Sequence, residues 1–151
     1  MIEGKFLKFE DGFSDILEIR KKVFIDELCC PLDSLKDSLD SESEHVIVFN
    51  ENHEVVASGR LSLIDKDFWI SKVAVLKEER EKYYGDFVVR MLVDKVFRNR
   101  GEQVWVKADD NSYQFFTKLG FYIVETVNIS QNTKFMIMKL SSNNLCKKCS
   151  K

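Results

Sequence analysis

Polar and apolar positions along this chain change period several times, and each change marks an element. Phe6-Leu7-Lys8-Phe9 predicts a short strand, followed by a glycine-containing turn. Ser14 then precedes apolar residues at Ile16, Ile19, Val23, Phe24 and Leu28, a helical spacing with a serine placed to cap it. Pro31 is expected to end that helix. Residues 33–44 are rich in Ser and Asp and read as a loose second helix or ordered loop. His45–Phe49 and Val55–Ile64 are β-rich runs around the polar turn Asn50-Glu51-Asn52-His53, and Phe68–Leu76 gives a third strand. A helix reads amphipathic from Phe87, with Val88, Met91, Leu92 and Val96 on its face and Gly101 as its stop. Val104–Val106 is a short strand, 110–119 a helix closed by Gly120, and 122–129 with 134–140 a final hairpin. This order predicts an α/β domain: a mixed, mostly antiparallel central sheet with helices on both faces, in which strand 68–76 runs parallel to strand 103–107.

Composition narrows the picture without changing it. A length of 151 residues suits one domain, taken as 1–140 with a polar tail at 141–151. A net charge of −2 from 23 basic and 25 acidic residues gives no electrostatic case for a nucleic-acid partner. No apolar run approaches the ~20 residues that cross a bilayer, and the first residues lack the order of a signal peptide, so no membrane partner and a cytoplasmic location are expected. The cysteines fall in two pairs, Cys29-Cys30 and Cys146-x-x-Cys149. They are expected to be free thiols rather than ligands of a zinc ion, so no metal is assigned.

The stretch Val73-Ala74-Val75-Leu76-Lys77-Glu78-Glu79-Arg80-Glu81-Lys82-Tyr83-Tyr84-Gly85-Asp86 carries the chemistry. An apolar strand enters a charged turn, and the turn enters a helix. Unpaired N–H groups and the positive dipole end at such a helix start suit phosphate. A strand edge before it suits the amides of a pantetheine arm.

Together with Phe115-Phe116-Thr117-Lys118-Leu119-Gly120-Phe121, this stretch resembles the acyl-coenzyme A-binding core of the GNAT-type N-acetyltransferases. The family's loop reads Arg or Gln, two residues, Gly, one residue, then Gly or Ala. Arg80 and Gly85 match its outer positions, whereas Tyr83 replaces the inner glycine, which lets the backbone approach phosphate and take a positive φ. In the second segment Phe116 stands where many members have a tyrosine that protonates the departing thiolate. Tyr113, one turn earlier, is the expected substitute. Further matches, Arg20-x-x-Val23-Phe24 with Asp26-Glu27, His45-Val46-Ile47-Val48 and Val55-Val56-Ala57-Ser58-Gly59-Arg60-Leu61, are similar to small bacterial acetyltransferases.

The resemblance implies transfer of acetyl from acetyl-CoA to a primary amine of a small molecule or peptide, by direct attack in a ternary complex, in a monomer or homodimer. Expected cofactor contacts are Val73, Ala74, Val75, Arg80, Glu81, Lys82, Tyr83, Tyr84 and Gly85, with Asp109, Ser112 and Phe116. Glu27 and His45 are the expected bases, and Tyr113 the expected acid. Two alternatives stand beside this reading. One is a member that keeps the fold only to bind or sense acyl-CoA. The other is an acyl-homoserine lactone synthase, whose Arg-x-x-Val-Phe signal is shared but whose tryptophan has no counterpart in 34–43.

Overall fold

The computed structural model describes residues 2–142, so Cys146, Cys149 and nearly all of the expected tail lie outside the described residues. The hydrogen-bonded strand order is β1-β2-β3-β4-β5-β7-β6, from Glu3–Lys8 (β1), Glu44–Phe49 (β2), Val55–Ile64 (β3), Asp67–Val75 (β4), Gln103–Ala108 (β5), Tyr122–Ser130 (β6) and Thr133–Ser141 (β7). The helices are α1 (Phe9–Arg20), α2 (Tyr84–Arg98) and α3 (Tyr113–Lys118). This is the expected α/β class. Its contacts separate into two compact units, 1–62 with 71–92 and 63–70 with 93–151.

In the first unit β1, β2 and β3 form an antiparallel ladder, with Leu7 opposite His45 and His45 opposite Arg60. Successive side chains of β3 point to opposite faces. Arg60 reaches Asp40 and through it Arg20 of α1, whereas a Cβ on Gly59 would lie 2.5 Å from Val88 Cγ1 of α2. Helices therefore cover both faces, and α2 seats on the bare backbone of Gly59. The α1 side closes on Ile19, Val23 and Ala74, with Phe24, Val55 and Leu76 packed around them.

α1 departs from expectation at both ends. It begins at Phe9 and bends at Gly12, so Ser14 lies inside the helix and caps nothing. Beyond Arg20 it widens into a π-helix, Lys21–Glu27, in which Leu28 N–H donates to Val23 O at 3.0 Å. The end is made by Cys29, left-handed at φ 57°, with Cys30 N–H donating to Phe24 O at 2.7 Å, before Pro31 is reached. Cys29 and Cys30 are free thiols. Residues 33–44 are an ordered loop with two single 3₁₀ turns, Leu32–Ser34 and Asp40–Glu42.

In the second unit β4 and β5 run parallel, Trp69 opposite Trp105 and Ile70 opposite Val106, as the element order required. β7 lies between β5 and β6, antiparallel to both. α3 is shorter than the expected 110–119, because Asp109 Oδ1 folds the preceding residues into a turn by accepting from Asn111 N–H, Ser112 N–H and Ser112 Oγ. Gly120, at φ 106°, ends it as expected.

Candidate active site

The first unit presents two groups of candidate residues. Its β4 leaves regular strand geometry at Lys72, φ 54°, just before Val73-Ala74-Val75. Ala74 is buried in the α1-side core, which fixes the end of the strand. The chain then passes a 3₁₀ turn, Lys77–Glu79, into Arg80–Gly85 and α2, which begins three residues before the expected Phe87.

That loop keeps the backbone its sequence seemed to forfeit. Glu81 and Tyr83 both adopt left-handed conformations, φ 67° and 68°. Tyr83 therefore does at φ > 0 what glycine would do there, with its ring 76% exposed, while Tyr84 is buried as the first residue of α2. The first helical turn offers N–H groups that no helical carbonyl can accept. Together with the left-handed residues before it, it forms the concave arrangement that suits an anion. The loop residues thus fit a pyrophosphate through backbone groups.

The loop's cations are already engaged. Arg80 Nη1 and Nη2 donate to Glu27 Oε2 and Oε1 at 2.5 and 2.6 Å, and Nη2 and Nε donate to Val75 O at 3.0 and 3.3 Å. Lys82 Nζ donates to Glu79 at 3.0 Å. Glu27, last residue of the π-helix, is held below the usual glutamate range by its hydrogen bonds from Arg80. It also lines a cavity of about 420 Å³ with Lys22, Val23, Asp26, Leu76, Lys77 and Glu78.

His45 is placed quite differently from Glu27. It is 0% exposed, on β2, and its Nε2–H donates to Asp40 O at 2.9 Å, which fixes the tautomer. Burial pushes its pKa below 6.5. It sits in a largely buried charge cluster whose Arg20, His45 and Arg60 fall within the sequence motifs and whose acids come from the 33–44 loop. Arg20 pairs with Asp40 at 3.0 Å, and Arg60 Nη1 reaches Asp37 at 2.6 Å and Asp40 at 3.1 Å while its Nε donates to Ser71 Oγ. Burial works to raise Asp40, but the two arginines hold it below the ordinary aspartate value. No local signal picks Asp37 and Asp40 out of the acids between Arg20 and Arg60, and only the fold shows that these two meet the buried arginines.

In the second unit Asp109 and Ser112 are bonded to each other at the start of α3. Phe116 is buried, packed edge-on against Phe115 and Phe121. Tyr113 is half-buried, and its oxygen accepts from Gln114 Nε2 at 3.4 Å.

Residues 13–121 match the Acetyltransferase (GNAT) family. The chain is 26% identical over 118 residues to the uncharacterized N-acetyltransferase YjcF of Bacillus subtilis, covering 78% of this chain and 83% of that protein. In structure it resembles Escherichia coli ElaA, with TM-score 0.78, 22% identity and coverage of 92% and 99% of the two chains. It also resembles an aminoglycoside 6′-N-acetyltransferase solved with coenzyme A, with TM-score 0.76, 12% identity and coverage of 92% and 96%. Likeness at such identity establishes the fold. No helix among the described residues is long and apolar enough to cross a membrane.

Proposed function

The chain belongs to the GNAT acetyltransferase family, and from that premise we propose that it transfers the acetyl group of acetyl-CoA to a primary amine of a small molecule or peptide. One observation carries the reading. Arg80–Gly85 retains left-handed Glu81 and Tyr83 ahead of the free N–H groups of α2, although Tyr83 replaces the inner glycine. Acetyl-CoA, the co-substrate, supplies the acetyl group as an activated thioester.

In this reading the backbone of Val73–Val75 pairs with the amide-bearing arm, and the N–H groups of 81–85 hold the phosphates. Asp109, Ser112 and Phe116 are cofactor contacts by the family resemblance alone. The amine attacks in its neutral form, directly on the thioester. A base must reach the proton it takes, and His45, with no exposed surface, keeps a scaffolding role. Glu27 borders an open cavity, but its lowered pKa makes it a better anchor for an ammonium than a proton acceptor. The amine's proton therefore leaves through water. Tyr113 has the phenol from which the thiolate takes its proton.

Thiol release from acetyl-CoA, followed across a panel of small amines and amine-terminated peptides, tests this. Acetylated product with at least one class is expected. Tyr113→Phe should lower turnover by about tenfold or more, toward the ~10²–10⁴-fold range of general acid help. Coenzyme A binding without turnover against any amine would favour a sensing role, and no binding at all would end the proposal.

A further inference from the structure

We infer that Arg80, the residue that the phosphate-loop pattern singles out, acts on the loop and not on the ligand. The inference rests on the reading that acetyl-CoA binds at this loop. A guanidinium has five N–H donors in a rigid fork. Nη1 and Nη2 each give one to Glu27, and Nε and the second of Nη2 point at Val75 O, so four of the five are committed. Both paired edges of the fork are used. The single N–H left on Nη1 cannot make the bidentate contact by which arginine grips phosphate.

Arg80 instead ties together three segments. Glu27 ends the π-helix, Val75 ends β4, and Arg80 itself opens the left-handed turn through Glu81 and Tyr83. A turn with two non-glycine residues at positive φ needs its surroundings to hold it. The Glu27–Arg80–Val75 bridge does so by fixing the residue at which the turn begins. The pair is partly exposed, 20% and 40%, but its two-pronged geometry is the kind that contributes at a surface. Lys82 is likewise matched to Glu79, so side-chain charge in this loop is balanced and phosphate is left to backbone N–H groups. Glu27 is thus a positioning residue at one remove: it fixes Arg80, and Arg80 fixes the amides.

The test uses the full chain with Glu27→Gln, Arg80→Gln, the double variant, and the exchanged pair Glu27→Arg with Arg80→Glu. Coenzyme A affinity is measured by calorimetry, and amide hydrogen exchange over residues 77–86 is measured without ligand. Each single variant should weaken coenzyme A binding by about five- to tenfold, and the double should be no weaker than the worse single, as for residues that act as one unit. Exchange in the loop should rise alike in both singles and fall back in the exchanged pair. With an acceptor in hand, KM for acetyl-CoA should rise while kcat holds.

Three results would overturn the inference. Glu27→Gln could bind coenzyme A as well as or better than the parent while Arg80→Gln loses affinity, the mark of an arginine that leaves Glu27 for phosphate. Glu27→Gln could lower kcat at unchanged KM, the mark of a proton acceptor. Loop exchange could stay unchanged in the singles. If the parent protein binds no coenzyme A, the acetyl-CoA reading fails, and loop exchange still decides whether the bridge holds the turn.

Discussion

Arg20 and Glu27 stand at the two ends of one π-helical stretch, and each joins a different kind of ion pair. Arg20 enters a sealed cluster with Asp40, Arg60 and the carbonyl of Leu35, its side chain 1% exposed. Glu27 meets Arg80 in the open, beside a cavity. The chemistry is the same guanidinium–carboxylate contact in both. Burial makes the first an all-or-none element of the fold, since each charge taken from water depends on the others. Exposure leaves the second adjustable, at small cost to the fold. π-helical segments recur where function needs a helix to re-aim its side chains, and here one separates scaffold from site.

The sharpest way to break the comparison is Asp40→Ala. It strands two buried arginines, and the urea unfolding midpoint should fall by an amount equivalent to about 3–5 kcal/mol. A loss no greater than that of Glu27→Gln would mean that the sealed and open pairs are energetically alike.

A second, smaller effect concerns pH. Burial lowers the His45 pKa below 6.5, so the unfolded chain binds a proton that the folded one refuses. Stability from this group is fully present above about pH 6.5 and declines as pH falls below it, by at most about 1.4 kcal/mol per pH unit. Thermal unfolding from pH 7.5 to 5.5 should show this slope, and His45→Asn should flatten it. An unchanged slope would place the titration elsewhere.

The smallest effect is expected in the open region. Tyr83→Gly removes a left-handed side chain whose cost is about 1–2 kcal/mol, offset by roughly 0.5–1 kcal/mol of added freedom in the unfolded chain. The melting temperature should hold or rise slightly, and calorimetry should show coenzyme A bound up to about threefold more tightly. Weaker binding would mean that the tyrosine ring itself contributes.

These regions also differ in how far the sequence revealed them. Local pattern sufficed for β2, β3, the closing hairpin and the strand-turn-helix at 73–86, because period and turn chemistry are written in neighbouring residues. It misplaced the start of α1, where Gly12 bends the helix without ending it and Ser14 looked like a cap. It credited Pro31 with a stop that Cys29 makes in a left-handed conformation, which no propensity of cysteine announces. At Tyr83 the pattern suggested a lost backbone geometry, whereas the surrounding structure imposes it. The Arg20–Asp40–Arg60 cluster and the Glu27–Arg80 bridge were out of reach for a different reason. Their members lie far apart in the chain, and only the ladder of β2 and β3 and the packing of α1 bring them together.

The strand order of the second unit has a consequence in time. β7 lies between β5 and β6 although it follows both in the chain. A chain emerging from the ribosome therefore presents β6, with Tyr122, Ile123, Val124 and Ile129 outward, before the strand that will hold it exists. At ordinary synthesis rates of about 5–20 residues per second the wait is on the order of a second. β7 then pairs one edge of the strand, while the other remains the border of the sheet among the described residues.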